Sequence, residues 1–269
     1  MRLGIGSWTY GWATGVSGYP LPANPLTAID LIDRAHAYGL EIVQIADNLP
    51  AHELSPVELA TLRDHAAGLG IGIELGTVGF EQEHLRRYLK LATILGARLV
   101  RTLIRTSDGI PDLTHAENCI RAVGEEFRSA GVVLAIENYE QQSCAELAAL
   151  VECLGNPCVG ICLDTVNSLG ALETPRQVVA VLGPFVQNLH IKDFTIRRVP
   201  SKMGYEVTGC PAGEGKLEIE WVLSELRRHG RNPTMILEQW TPWTGSIEST
   251  IAMEEAWASR SVSFLHRYH

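Results

Sequence analysis

Four side chains in this sequence have the types and the placement to hold one divalent cation: Glu137, Asp164, His190 and Glu238. Each closes a short apolar run, in the stretches VVLAIE, VGICLD, VQNLH and TMILE. If those runs are neighbouring strands, carboxylate, carboxylate, imidazole and carboxylate arrive together at one end of a sheet. Three carboxylates gathered away from water repel one another unless a cation compensates them. A bound dication is the simplest compensator. Three oxygen donors and one nitrogen suit Mn²⁺, which we favour, or Mg²⁺ or Co²⁺, and they also admit Zn²⁺.

Cationic and aromatic residues lie near these four. Lys192 shares strand parity with His190 and should face the same side. Arg197, Arg198 and Lys202 follow in a long segment, 194–216, that reads as an irregular loop. Long loops in compact domains are usually functional. Arg101 lies within a predicted strand and Arg105 just after it, and arginine is rare in a buried strand unless paired. Arginine pairs well with carboxylate or phosphate, so an anionic group on the substrate is expected, with Lys192, Arg197 and Arg101 as candidate contacts. Trp8, Tyr10, Trp240 and Trp243 flank predicted strand ends and could cover a sugar face.

The elements that must position these residues follow from hydrophobic periodicity. Short β-branched runs at 3–7, 42–46, 71–76, 99–104, 132–137, 159–164, 186–192 and 234–238 alternate with longer helical patterns. Residues 28–38 form one such helix, with Thr27 as N-cap and a stop at Tyr38-Gly39. Ser55, Pro56 and Glu58 start the next with a capping box. Similar stops are read at Gly68, Gly96, Gly131, Gly155 and Gly230. Strict β-then-α alternation implies parallel strands. Eight such units predict an α/β fold: a (β/α)₈ TIM barrel spanning residues 1–269 as a single domain, whose active site lies where strands end and βα loops begin. The Gly4-x-Gly6 pattern is followed by Trp8, Tyr10 and Trp12 instead of a helix start, so it is not read as a dinucleotide site.

Composition narrows the function classes. A net charge of −9 argues against binding a nucleic-acid backbone. No apolar run is long enough to cross a bilayer, and the start lacks the apolar stretch of a secretory signal. A soluble, cytoplasmic protein is therefore expected. None of the six cysteines forms a CxxC pair, so reduced, mostly buried thiols are expected.

The pieces AIEN, CLDTVN, NLHIKD and ILEQW around the four candidate ligands resemble the xylose isomerase-like TIM barrel superfamily of sugar isomerases and epimerases, and the likeness covers essentially the whole chain. In the sugar-handling branches the matching residues bind one metal ion, and the glutamates matching Glu137 and Glu238 also move protons. Two positions depart from the common pattern. Asn167 stands where many members have a substrate-touching histidine, and an amide can hydrogen-bond a hydroxyl but cannot titrate. Gln44 stands where many have a glutamate. The nuclease branch needs several further histidines, which this chain places in helices, loops and the tail. HIKDF, the pair Arg197 and Arg198, MGYEV and PAG, between residues 190 and 213, resemble decarboxylases of the 3-oxo-isoapionate type better than the epimerases.

The resemblance implies chemistry on a small keto-sugar or oxidised sugar through a metal-stabilised enediolate or enolate. Glu137 is assigned as base and Glu238 as acid, with Asp164 and His190 as ligands and Trp8 and Asn167 as substrate contacts. The first expectation is a sugar or sugar-phosphate isomerase or epimerase. The alternative is a lyase that removes CO₂ from a 3-oxo sugar acid at the same site. The expected partner is a small anionic sugar-derived substrate, not nucleic acid or membrane, and homo-oligomers are common among such proteins.

Overall fold

The structure is a computed structural model and describes residues 1–106 and 110–269. Among the described residues, ten strands run in chain order: β1 (Leu3–Gly6), β2 (Ile42–Ile45), β3 (Gly72–Val78), β4 (Leu99–Leu103), β5 (Val133–Glu137), β6 (Val159–Asp164), β7 (Val186–Ile191), β8 (Asp193–Arg198), β9 (Tyr205–Cys210) and β10 (Thr234–Leu237). All but β8 and β9 pair in parallel and close a barrel in the order β1-β10-β7-β6-β5-β4-β3-β2. The helices are α1 (Gly11–Thr14), α2 (Ala28–Ala37), α3 (Pro56–Leu69), α4 (Gln82–Leu95), α5 (Leu113–Ala130), α6 (Cys144–Leu154), α7 (Pro175–Leu182), α8 (Ile219–Arg228) and α9 (Ile247–Leu265). The eight-stranded (β/α) barrel is the fold the alternation predicts. Among the described residues, no helix is long and apolar enough to cross a membrane.

Local chemistry sets the helix ends. Thr27, Ser55, Ser143 and Thr174 each form a reciprocal capping box with the third helical residue. Gly70, Gly96, Gly131 and Gly155 close α3 to α6 in the left-handed region, with φ between 57° and 71°. The stop read at Gly68 falls two residues later, because Gly68 stays helical and Gly70 makes the left-handed turn. One apolar core lies between the barrel and its helical shell, where Ile45, Leu75, Ile136 and Leu189 meet Leu31, Leu62, Leu85 and Leu147. Burying each such side chain contributes about 1.5–3 kcal/mol.

Inside the barrel, below the mouth, lies a polar layer. Glu74 accepts hydrogen bonds from Thr234 Oγ1 at 2.6 Å, Asn188 Nδ2 at 3.0 Å and Gln44 Nε2 at 3.2 Å. Burial raises the Glu74 carboxyl above its ordinary range.

The segment read as an irregular loop over 194–216 is largely ordered. β8 and β9 form an antiparallel hairpin in which Ile196 faces Val207 and Arg197 faces Glu206. The period-2 alternation of Phe194 and Ile196, and of Tyr205 and Val207, carries the strand signal. The charged pair Arg197–Glu206 and the neighbouring Arg198 hide it.

Candidate metal centre and active-site mouth

The four candidate ligands are buried at the C-terminal ends of adjacent strands. Glu137 ends β5, Asp164 ends β6, His190 lies near the end of β7, and Glu238 directly follows β10. Asp164 and His190 stand opposite each other in the β6–β7 register. One donor atom from each of the four residues lies within 4.8 Å of the other three. His190 Nδ1 is 3.4 Å from Glu137 Oε1, 3.4 Å from Glu238 Oε1 and 3.8 Å from Asp164 Oδ2. Two glycines make room. A Cβ on Gly6 would come 3.1 Å from Glu238 Oε1, and one on Gly76 would come 3.1 Å from Arg101 Cζ.

A network of hydrogen bonds aims these donors. Asp164 Oδ1 accepts the backbone N–H of Val166 at 2.9 Å and of Asn167 at 2.8 Å, which leaves Oδ2 for the centre. Asn138 fixes the end of β6 by accepting from the Asp164 N–H at 2.7 Å and donating to the Asp164 carbonyl at 3.0 Å. His190 Nε2 is 2.8 Å from Gln44 Oε1. Gln44 donates its own amide to Glu74 and Asn188, so its carbonyl must accept from the imidazole, and Nδ1 keeps its lone pair for the centre.

Two cations balance the carboxylates. Lys192 Nζ lies 2.9 Å from Asp164 Oδ2 and 2.9 Å from Glu238 Oε2, 5.9 Å from the centre of the Trp240 ring. Arg101 Nε lies 2.9 Å from Glu137 Oε2, and its Nη1 donates to the Thr77 carbonyl at 3.1 Å and to Asp47 Oδ1 at 3.2 Å. Burial opposes every one of these charges, and the oppositely charged neighbours prevail for Glu137, Lys192 and Arg101 but not for Asp164. The Glu137 carboxyl, which burial alone would raise, is held down to about 2 by Arg101 and His190. Asp164 is raised by burial despite Lys192 beside it. Lys192 and Arg101 are both held above their ordinary values by the carboxylates, against burial.

The donor set fits a divalent metal ion. Among the described residues, His190 Nδ1 and Glu238 Oε1 are buried without a hydrogen-bond partner, and Glu137 Oε2 and Asp164 Oδ2 have only their ion pairs. Orphaned donor atoms converging from four strands are what an ion would satisfy. Cys162 Sγ is also near Glu137 and His190, but it donates to Asn188 Oδ1 at 3.2 Å, and burial pushes its thiol well above the ordinary value. That leaves the three oxygens and one nitrogen as the natural set.

A cavity of about 430 Å³ opens above the tetrad, lined by Trp8, Arg101, Glu137, Asn167, Lys192 and Glu238 among others. Asn167 Nδ2 donates to Glu137 Oε1 at 2.9 Å. Trp8 Nε1 donates to Asp47 Oδ1 at 3.2 Å. The mouth thus gathers these predicted residues, but not Arg197. That side chain is exposed on the hairpin, where its Nη2 pairs with Glu206 Oε2 at 2.8 Å and does not line the cavity. Reading 194–216 as a loop over the mouth led to that assignment. Arg105 lines the mouth in its place, with its guanidinium 5.3 Å from the Tyr139 ring centre and no ion pair among the described residues. The sequence reading missed Asp47, Asn138 and Glu74. Each is a polar residue within or just after an apolar strand run, which is the signal that could have found them.

Comparison with known proteins agrees with this architecture. The family model described as Xylose isomerase-like TIM barrel matches residues 22–268. The chain is 35% identical over 266 residues to the 3-oxo-isoapionate decarboxylase of Pectobacterium atrosepticum, covering 99% of this chain and 95% of that protein. A D-psicose 3-epimerase solved in the presence of D-fructose superposes with TM-score 0.73 at 18% identity, covering 99% of this chain and 97% of the other. A xylose isomerase-like TIM barrel protein from Mycobacterium smegmatis, solved in complex with magnesium, gives TM-score 0.71 at 16% identity over 97% of both chains. This chain belongs to the xylose isomerase-like TIM barrel family.

Proposed function

We propose that this protein is a metal-dependent decarboxylase of a 3-oxo sugar acid, the second of the two activities anticipated from the sequence. The observation that carries this reading is the set of cations around the tetrad. Lys192 bridges Asp164 and Glu238, and Arg105 stands at the mouth with no ion pair among the described residues. A neutral ketose gives such a guanidinium no negative charge to pair with, whereas a carboxylate does. Whole-length similarity to a decarboxylase supports the same choice.

The tetrad Glu137, Asp164, His190 and Glu238 would hold the divalent ion, Mn²⁺ by preference, which when bound supplies electrophilic stabilisation of negative charge on a substrate oxygen. The chain's own residues do the rest. Arg105 and the faces of Trp8 and Trp240 orient the sugar acid. Asn167 offers an amide to a substrate hydroxyl and steadies Glu137. The bond between the carboxylate carbon and the α-carbon breaks, CO₂ leaves, and its electron pair passes into the enolate. Glu238 delivers a proton to that carbon and regains one from solvent, while the Lys192 ammonium 2.9 Å away pairs with the carboxylate left behind. No titratable base is needed at position 167, which suits an asparagine there.

The second reading is isomerisation or epimerisation of a small ketose or its phosphate. What favours it is that Glu137 and Glu238 approach His190 Nδ1 from two sides at 3.4 Å each, a disposition suited to removing and returning a proton. Incubating the Mn²⁺-loaded protein with a 3-oxo sugar acid and following CO₂ tests the proposal. Stoichiometric CO₂ is expected. Exchange of a ketose α-proton in deuterated water with no CO₂ release would replace the lyase with the isomerase.

A further inference from the structure

A second convergence of donor atoms lies away from the mouth, where α4 and α5 begin. Glu81 occupies the N-cap position of α4, yet its side chain makes no capping hydrogen bond. It turns instead to α5. Its Oε1 is 2.9 Å from His115 Nε2, and its Oε2 is 3.7 Å from Cys119 Sγ. His115 and Cys119 are one helical turn apart, and Cys119 Sγ lies 3.7 Å from His115 Nε2. One donor atom from each of the three residues falls within 4.8 Å of the others.

These separations approach the edges of a metal tetrahedron. With bonds of about 2.3 Å to sulfur and about 2.0–2.1 Å to nitrogen and oxygen, donor atoms around Zn²⁺ lie roughly 3.3–3.6 Å apart. One Glu81 oxygen must serve both partners, the His115–Glu81 edge must open, and the edges to sulfur must close slightly. The His115 and Glu81 side chains have the freedom to do so, being more than half exposed, at 51% and 62%. The frame around them is fixed. Asp112 caps α5 by accepting the N–H groups of Thr114 and His115 at 2.9 Å and 3.1 Å, and the Phe80 ring meets the His115 ring edge-on at 5.7 Å. Cys119 is buried beneath them, so its sulfur forms the floor of an open-topped site.

We propose that Glu81, His115 and Cys119 form a second site, separate from the mouth, for one thiophilic divalent cation of the Zn²⁺ class, with water at the remaining position. Sulfur, nitrogen and oxygen donors select such an ion, whereas the oxygen-rich mouth suits a harder one. The ion clips the turn after β3 to the first turns of α5. Cys119 would bind as the thiolate, so uptake of the ion displaces the thiol proton.

Titration of the full-length protein with Co²⁺ tests this by near-ultraviolet absorption. Three carboxylates and an imidazole produce no sulfur-to-cobalt charge-transfer band, so the mouth is silent in this readout. A band equivalent to one thiolate-bound Co²⁺ per chain is expected. It should vanish in Cys119→Ser and persist in Cys162→Ser, which removes the thiol nearest the mouth. Circular dichroism checks that Cys119→Ser is folded. If it is not, the exposed His115→Gln carries the test. It should weaken Co²⁺ binding by at least the roughly tenfold that even an outer-shell partner is worth. Absence of the band, its survival in folded Cys119→Ser, its loss in Cys162→Ser, or unchanged Co²⁺ affinity in His115→Gln would each overturn the proposal.

Discussion

Gln44 Oε1 stands 2.8 Å from His190 Nε2, so the Gln44 side chain is the one that orients the imidazole. The amide cannot turn over without facing its NH₂ towards the N–H of His190 and its carbonyl towards Glu74 and Asn188 Oδ1. Gln44→Leu should therefore release the ring. Metal affinity and turnover should each fall by about 10–100-fold, the usual cost of losing such a partner. Calorimetric titration with Mn²⁺ and steady-state kinetics check both. Unchanged affinity would mean that the ring is held by packing alone.

Loading the tetrad should stabilise the fold. At a free metal concentration of 100 Kd the gain is about 2.7 kcal/mol. For a domain somewhat larger than about 150–250 residues, each kcal/mol shifts Tm by roughly 2–4 °C or slightly less. Adding Mn²⁺ to chelator-treated protein should therefore raise Tm by several degrees. Glu137→Gln should abolish most of that rise and nearly all turnover while the apo protein stays folded. Its amide loses the buried ion pair with Arg101, so a drop in apo stability is expected as well, softened by the Asp47 carboxylate 3.2 Å from the same guanidinium. Equal metal-induced shifts in the two proteins would remove Glu137 from the ligand set.

Arg105 and Arg197 separate two accounts of how the substrate's negative charge is held. Arg105 lines the mouth without an acidic partner among the described residues, whereas Arg197 is paired with Glu206 on the exposed hairpin. Arg105→Ala should raise KM for an anionic sugar acid by about tenfold, equivalent to about 1.4 kcal/mol, and change kcat much less. Arg197→Ala should leave both parameters within about twofold, since exposed ion pairs contribute little. The reverse pattern would show that the hairpin folds over the mouth during turnover.

The barrel and the tetrad were legible because each leaves a local trace. Strand runs that end in Glu137, Asp164, His190 and Glu238 are readable from hydrophobic periodicity, and parallel closure brings their ends together. The polar layer beneath them was harder to read. Glu74 and Asn188 sit within strands, and their partners Gln44 and Thr234 are 30 and 46 residues away in sequence. Only closure of the barrel makes them neighbours. The hairpin was missed because its outer half is solvated. Arg197 pairs with Glu206 across the strands, and Arg198 donates to the Lys202 carbonyl and the Tyr205 hydroxyl, all without a buried face, so the pattern resembled that of a loop.

Glu254 gives the fold a pH dependence unrelated to the candidate metal centre. It is buried on α9, where its two carboxylate oxygens accept the backbone N–H groups of Trp12 at 2.9 Å and Ala13 at 3.0 Å. Burial outweighs those hydrogen bonds and pushes its carboxyl from 4.5 up to about 8. Between those two values the folded protein holds a proton that the unfolded chain has released. Stability must therefore fall as pH rises through that window and level off above it. Glu254→Gln cannot titrate, and its single acceptor leaves one buried N–H poorly paired, at a cost of about 1–3 kcal/mol. At about pH 5 the wild-type protein should be the more stable of the two by urea unfolding, and by about pH 9 the gap should close or reverse as the wild type takes on a buried charge. A gap that stays constant across this range would mean that Glu254 is already ionised at about pH 5, with the two N–H donors outweighing its burial.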